Sequence, residues 1–161
     1  MKVPGSAVRL ILFVLVGTLI MTSQAEAGVS CHTINAKGVG QGTGGTGTQD
    51  DPLTTVAQIK GGGLLQGTTE ASFIITGGSP PILEFEGPIT FTTNKATLTV
   101  FLTGTLDVVT GVFMANGPVV DADGKLEGAT GSLIFDGVQN LVDGSFVETV
   151  TGQICVDLGP H

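Results

Sequence analysis

One stretch, residues 121–135 (DADGKLEGATGSLIF), sets the tightest limits on what this chain can become. Gly124, Gly128 and Gly131 fall where a chain reversing between two strands needs positive φ or close backbone approach, conformations that penalise any residue carrying a Cβ. Leu126 and Ala129 are the apolar side chains of the turn, so they are expected to fold back over the end of a core. From Gly131 onward the period is two: Leu133 and Phe135 point one way, and Ser132, Ile134 and Asp136 the other. The unit is a tight connection feeding a half-buried strand.

The rest of the chain repeats that grammar. Strands are expected over 31–39, 53–59, 64–76, 82–93, 96–106, 112–120, 131–138 and 145–158, with no helical periodicity after the N-terminal segment. In the fourth, Leu83, Phe85, Ile89 and Phe91 share a face opposite Glu84 and Glu86; in the fifth, Leu98, Val100, Leu102 and Leu106 oppose a row of threonines, with Phe101 breaking the polar face. Gly67 suits a bend, Gly87-Pro88 a bulge near a rim, and Asn94-Lys95 a two-residue hairpin. The Gly/Thr run at 40–52 lacks apolar residues and is expected to be a flexible loop. It has no lysine followed by Ser or Thr after its glycines, so it is not a phosphate-binding loop. Eight short strands joined by turns predict an all-β fold, an eight-stranded antiparallel barrel that closes on itself and so leaves no unpaired edge. The alternative is a two-sheet β-sandwich.

The segment Gly124-Lys-Leu-Glu-Gly-Ala-Thr-Gly131 resembles the G-x-[FL]-x-G-A-x-G turn of allene oxide cyclase-like and dirigent-like barrels, including small secreted bacterial proteins of that kind. Strand number and order from Cys31 to Leu158, with the C-terminal Thr151-Gly-Gln-Ile-Cys155, fit the same pattern. The resemblance implies an eight-stranded barrel, often oligomeric, with a largely apolar interior in which shape orients a reactive molecule. It leaves the activity open, because such barrels include both cyclising enzymes and proteins without chemistry. No polar contact residue of those families has an identifiable counterpart here.

Residues 1–27 have the three-part layout of a cleavable secretory signal helix: basic Lys2 and Arg9, an apolar run over 10–21, and small residues at 23–27. That run is shorter than the roughly 20 apolar residues a membrane anchor needs. Residues 28–161 then form a single domain in a secreted or periplasmic protein. Its two cysteines, Cys31 near the start and Cys155 near the end, are expected to pair in an oxidising compartment, since the first and last strands of a closed barrel are neighbours. The other reading is two separate buried thiols. Past residue 27 there is no arginine, and four lysines stand against thirteen carboxylates, a net charge of about −9. Such a chain repels phosphate backbones, so nucleic acid is not an expected partner, nor is a membrane once the signal is removed.

Few residues can carry chemistry. Tyr and Trp are absent, and the histidines are His32 and the terminal His161, which is expected to be solvated. His32 next to an oxidised Cys31 cannot form a thiolate pair, and no serine sits in a nucleophile elbow. Asp121, Asp123 and Glu127 form an acidic cluster of oxygen donors without the spacing of a helix-loop-helix calcium site, and they equally fit a solvated turn. Glu84 and Glu86 are expected to point outward. Glu148 shares parity with Phe146 and Val150, which makes it the candidate for a buried carboxylate able to act as acid or base.

These features favour a non-enzymatic barrel needing no cofactor, either a binder of a small apolar ligand or a structural module. One alternative is an isomerase or cyclase working by confinement around Glu148. The other is a homo-oligomeric surface-interaction protein.

Overall fold

The computed structural model describes residues 28–157; the expected signal segment at 1–27, Leu158 and His161 lie outside them. Alternating residues form eight strands: β1 (Ser30–Gly44), β2 (Leu53–Gly61), β3 (Gly67–Ser79), β4 (Ile82–Thr92), β5 (Ala96–Asp107), β6 (Val112–Gly124), β7 (Thr130–Gln139) and β8 (Ser145–Val156). Each pairs antiparallel with the next, and β8 returns to β1, so the sheet is a closed barrel and not a sandwich.

At the seam β1 and β8 run in unbroken register from Ser30 opposite Val156 to Gln41 opposite Ser145. Cys31 faces Cys155 across it, and the two are joined in a disulfide with Cα atoms 3.9 Å apart.

Inward-facing residues fill one end of the barrel completely. Ile34, Ile59, Phe91, Leu98, Leu133, Ile154 and Val156 are all buried there. Two connections close that end: the 3-10 turn Gly63–Leu65 inserts Leu65, and the turn after β6 inserts Leu126 and Ala129. Gly124 and Gly128 adopt φ of +68° and +74° in that turn, the left-handed conformation the glycine spacing predicts.

Three bulges adjust which side chains point inward. Between Thr99 and Val100 of β5 the register with β6 shifts by one, leaving Val120 without a partner. Side-chain parity therefore reverses along β6, so Val119 and Ala122 turn toward the core while Val120, Asp121 and Asp123 are exposed. The other shifts lie between Ile75 and Gly77 of β3 and between Gly42 and Gly44 of β1.

Several local expectations need correction. Residues 40–44 of the Gly/Thr run are not loop; they extend β1 and pair with β2, and as far as Gln41 with β8. The remainder folds back on itself, the N–H groups of Thr46, Gly47 and Thr48 donating to the Asp51 carbonyl and Ile75 N–H to the Gly47 carbonyl at 2.7 Å. Gly87-Pro88 is not a bulge. The β4–β5 register runs straight through it, because Pro88 removes a donor without inserting a residue. Leu64 and Leu65 precede β3, which starts at Gly67, so Gly67 opens the strand and does not interrupt it; the register shift of β3 lies between Ile75 and Gly77. β6 continues to Gly124, so Asp121 and Asp123 are strand residues. The Asn94-Lys95 hairpin forms as expected, with Thr93 N–H donating to the Ala96 carbonyl at 2.9 Å.

Candidate functional site

The end of the barrel opposite the disulfide is hollow. Inward positions at the C-terminal ends of β1, β3, β5 and β7 and the N-terminal ends of β2, β4, β6 and β8 surround a cavity of about 230 Å³. Five phenylalanines line it, Phe73, Phe85, Phe113, Phe135 and Phe146, together with Ile75, Ile89, Leu102 and Leu106. Ring pairs stiffen the wall: Phe73 and Phe85 meet edge-to-face with centroids 5.1 Å apart, and Phe113 and Phe146 at 6.1 Å.

Glycine makes the space. On β1 the inward positions Gly38, Gly40 and Gly42 carry no side chain, and the large groups of β8 lie over the first two. A Cβ at Gly40 would overlap the ring edge of Phe146 and sit 2.5 Å from the Val56 carbonyl oxygen. At Gly38 it would fall 2.5 Å from Glu148 Oε1 and 2.6 Å from its Cγ. Gly137 of β7 faces Glu148 from the other side. Strand parity thus places Glu148 inside, and the missing side chain at Gly38 gives its carboxyl room, while the Phe113 ring lies over Gly137.

Glu148 is 8% exposed, and its Oε1 is sealed without a hydrogen-bond partner. Burial alone pushes its pKa up to about 7, with no charge or hydrogen bond acting to hold it down. Among the described residues it is the one titratable side chain that lines the cavity. The polar groups sharing the space are neutral: Thr54, Thr55, Thr69 and Gln139. Sequence reading missed Thr69 and Gln139; their parity was legible, but which end of the barrel stays hollow depends on how all eight strands fill it.

The remaining candidates lie elsewhere. Cys31 and Cys155 are oxidised, and Nε2 of the neighbouring His32 is buried without a partner at the filled end. Asp121 and Asp123 face outward on β6 and Glu127 is exposed in the turn beyond. Among the described residues no three His, Cys, Asp or Glu side chains gather as metal ligands. Glu84 and Glu86 oppose the apolar face of β4 and line a shallow depression on the outer wall with Thr103, Thr105 and Asn116.

The outer wall also carries a row of valines. Val39, Val147, Val138 and Val112 follow one another across β1, β8, β7 and β6 in direct register, exposed by 61, 58, 48 and 46%. Among the described residues no helix is long and apolar enough to cross a membrane, which says nothing of crossing by strands. No protein-family model matches this chain, and neither does any curated protein or solved structure.

Proposed function

We propose that this is a secreted or periplasmic binding barrel that holds a compact, mostly apolar molecule in its open end. The observation that carries this reading is a cavity walled by five phenylalanines and containing a single, unpartnered carboxyl group. Its size bounds the ligand. An apolar cavity of about 150 Å³ takes up benzene, and drug-sized ligands need about 300 Å³ or more. At about 230 Å³ this one suits a single ring with short substituents. Export is supported by the tripartite leader and by the disulfide, which persists in oxidising compartments. Water around the barrel is supported by its contrast with lipid-spanning barrels, since here the interior is mostly apolar and most threonines and charged side chains face out. Kinship with the allene oxide cyclase-like and dirigent-like barrels is supported by the 124–131 turn and by strand number and order.

Methyl 1H–13C spectra of the disulfide-intact protein titrated with toluene test this reading. It expects saturable shifts at Ile75, Ile89, Leu102 and Leu106, and none at Leu126 and Ala129 in the filled end. Absence of any saturable shift contradicts it.

A second reading, proton transfer within a confined substrate, is favoured by the Glu148 pKa of about 7, which suits a group that both takes and returns a proton. Loss of substrate deuterium to solvent in wild type but not in Glu148→Gln separates catalysis from binding. A third, self-association, is favoured by the valine row, an exposed apolar strip that a second copy of the chain covers by presenting the same strip. Val147→Lys then converts a dimer to a monomer in light scattering, and a wild-type monomer at high concentration rules it out.

A further inference from the structure

Glu148 is buried in a wall that offers it nothing. Gly38 and Gly137 flank it on β1 and β7, and no lysine, arginine or histidine lines the cavity among the described residues. An ionised carboxyl held in such a place lacks both the water and the counter-ion that normally stabilise it. Everything else about the cavity favours positive charge. Five phenylalanines line it, a residue type whose ring attracts cations, and the surrounding domain carries about nine net negative charges, which raise the cation concentration around it. An acidic ligand meets repulsion on every count. A neutral one fills the space but brings the carboxylate no counter-charge.

We propose that the ligand of this cavity is a compact apolar amine, bound as its ammonium ion with the nitrogen at the Glu148 carboxylate and the hydrocarbon body among the phenylalanine rings. The proposal rests on the cavity being a binding site and specifies its occupant. The ammonium supplies the donors and the charge that the chain withholds, and a rigid ring fills the remainder at little entropic cost. Thr69 and Gln139, which share the lining, are within the same enclosure to accept or donate a further hydrogen bond.

Three probes of one shape test it: cyclohexylamine, cyclohexanol and methylcyclohexane, titrated at pH 8 into the disulfide-intact protein, with cavity methyl shifts and the Glu148 carboxyl 13C signal as readouts. Cyclohexylamine is expected to bind about tenfold or more tightly than either neutral probe, the scale of one charge-assisted contact. It should also pull the Glu148 carboxyl titration to lower pH, which the neutral probes do not. In Glu148→Gln the three affinities converge. Should that variant fail to fold, the wild-type ranking and the carboxyl titration decide alone. Equal binding of all three, or a preference for cyclohexanol, overturns the amine assignment and leaves the binding site standing. Binding of none overturns both.

Discussion

Glu148 of β8 and Gly38 of β1 face each other across the barrel seam, and the carboxyl of the first occupies the space that a Cβ on the second would need. Gly38→Ala therefore displaces Glu148, at a cost of about 1–3 kcal/mol, the range for an added group that forces a neighbouring side chain to move. In a Glu148→Ala background the same substitution meets an empty site. A double-mutant cycle by urea unfolding should return a coupling of about 1 kcal/mol or more. Additive effects would mean the two residues do not touch.

The same burial makes stability depend on pH. The folded pKa of Glu148, about 7, lies above its ordinary value of 4.5, so the folded chain binds the proton more tightly than the unfolded one. Its contribution is fully present below pH 4.5 and is lost as pH rises through 7, a change on the order of 3 kcal/mol. Asp107 and Asp143 act in the opposite sense at lower pH. Hydrogen bonds from Val109 and Thr110 hold the first carboxyl below its usual range and those from Ser145 the second, so their contributions fade as pH falls through their folded pKa values. Unfolding free energies should thus decline between pH 5 and 8 in wild type, and Glu148→Gln should flatten that decline.

At the filled end, Leu126 is a plug and the glycines around it set its position. Leu126→Ala should cost about 2–5 kcal/mol, as for other buried leucines. Gly128 and Gly124 differ instructively. Both have positive φ, but a Cβ at Gly128 meets open space, whereas at Gly124 it collides with the Lys95 carbonyl oxygen. Gly128→Ala should cost about 1–2 kcal/mol, the penalty of the left-handed conformation alone, and Gly124→Ala clearly more. Thermal unfolding of the three variants checks the order.

The disulfide spans 124 residues of sequence, and in the chain-entropy account closing so long a loop contributes up to about 5 kcal/mol. Cys31→Ser/Cys155→Ser should lower stability by several kcal/mol. It should leave the cavity shifts caused by toluene unchanged, because the bridge lies at the other end. Loss of binding along with the bridge would tie the two ends together.

Where a residue's role depends on its own strand, the sequence was legible. Period-two alternation located Phe85, Phe91, Leu98 and Phe135 on the inner face, parity alone singled out Glu148, and glycine spacing located the plug turn. Roles that depend on a neighbouring strand were not. Gly40 and Gly42 look like flexible loop until register places Gly40 opposite Phe146, where the lack of a side chain is what the packing requires. The shift beside Val120 reverses parity inside an apolar Val119-Val120 pair, where alternation along the strand gives no sign of it. Whether the interior is filled or hollow follows from the summed volume of eight inner faces, which no single strand reveals.

The central claim is that a lone carboxyl group sits unpartnered in an apolar cavity, and its own titration tests that most directly. The carboxyl 13C signal of Glu148, followed from pH 3 to 9 in the ligand-free, disulfide-intact protein, should show a midpoint near the value of about 7 that burial imposes. A midpoint at the ordinary 4.5 would place the carboxyl in water and contradict the account.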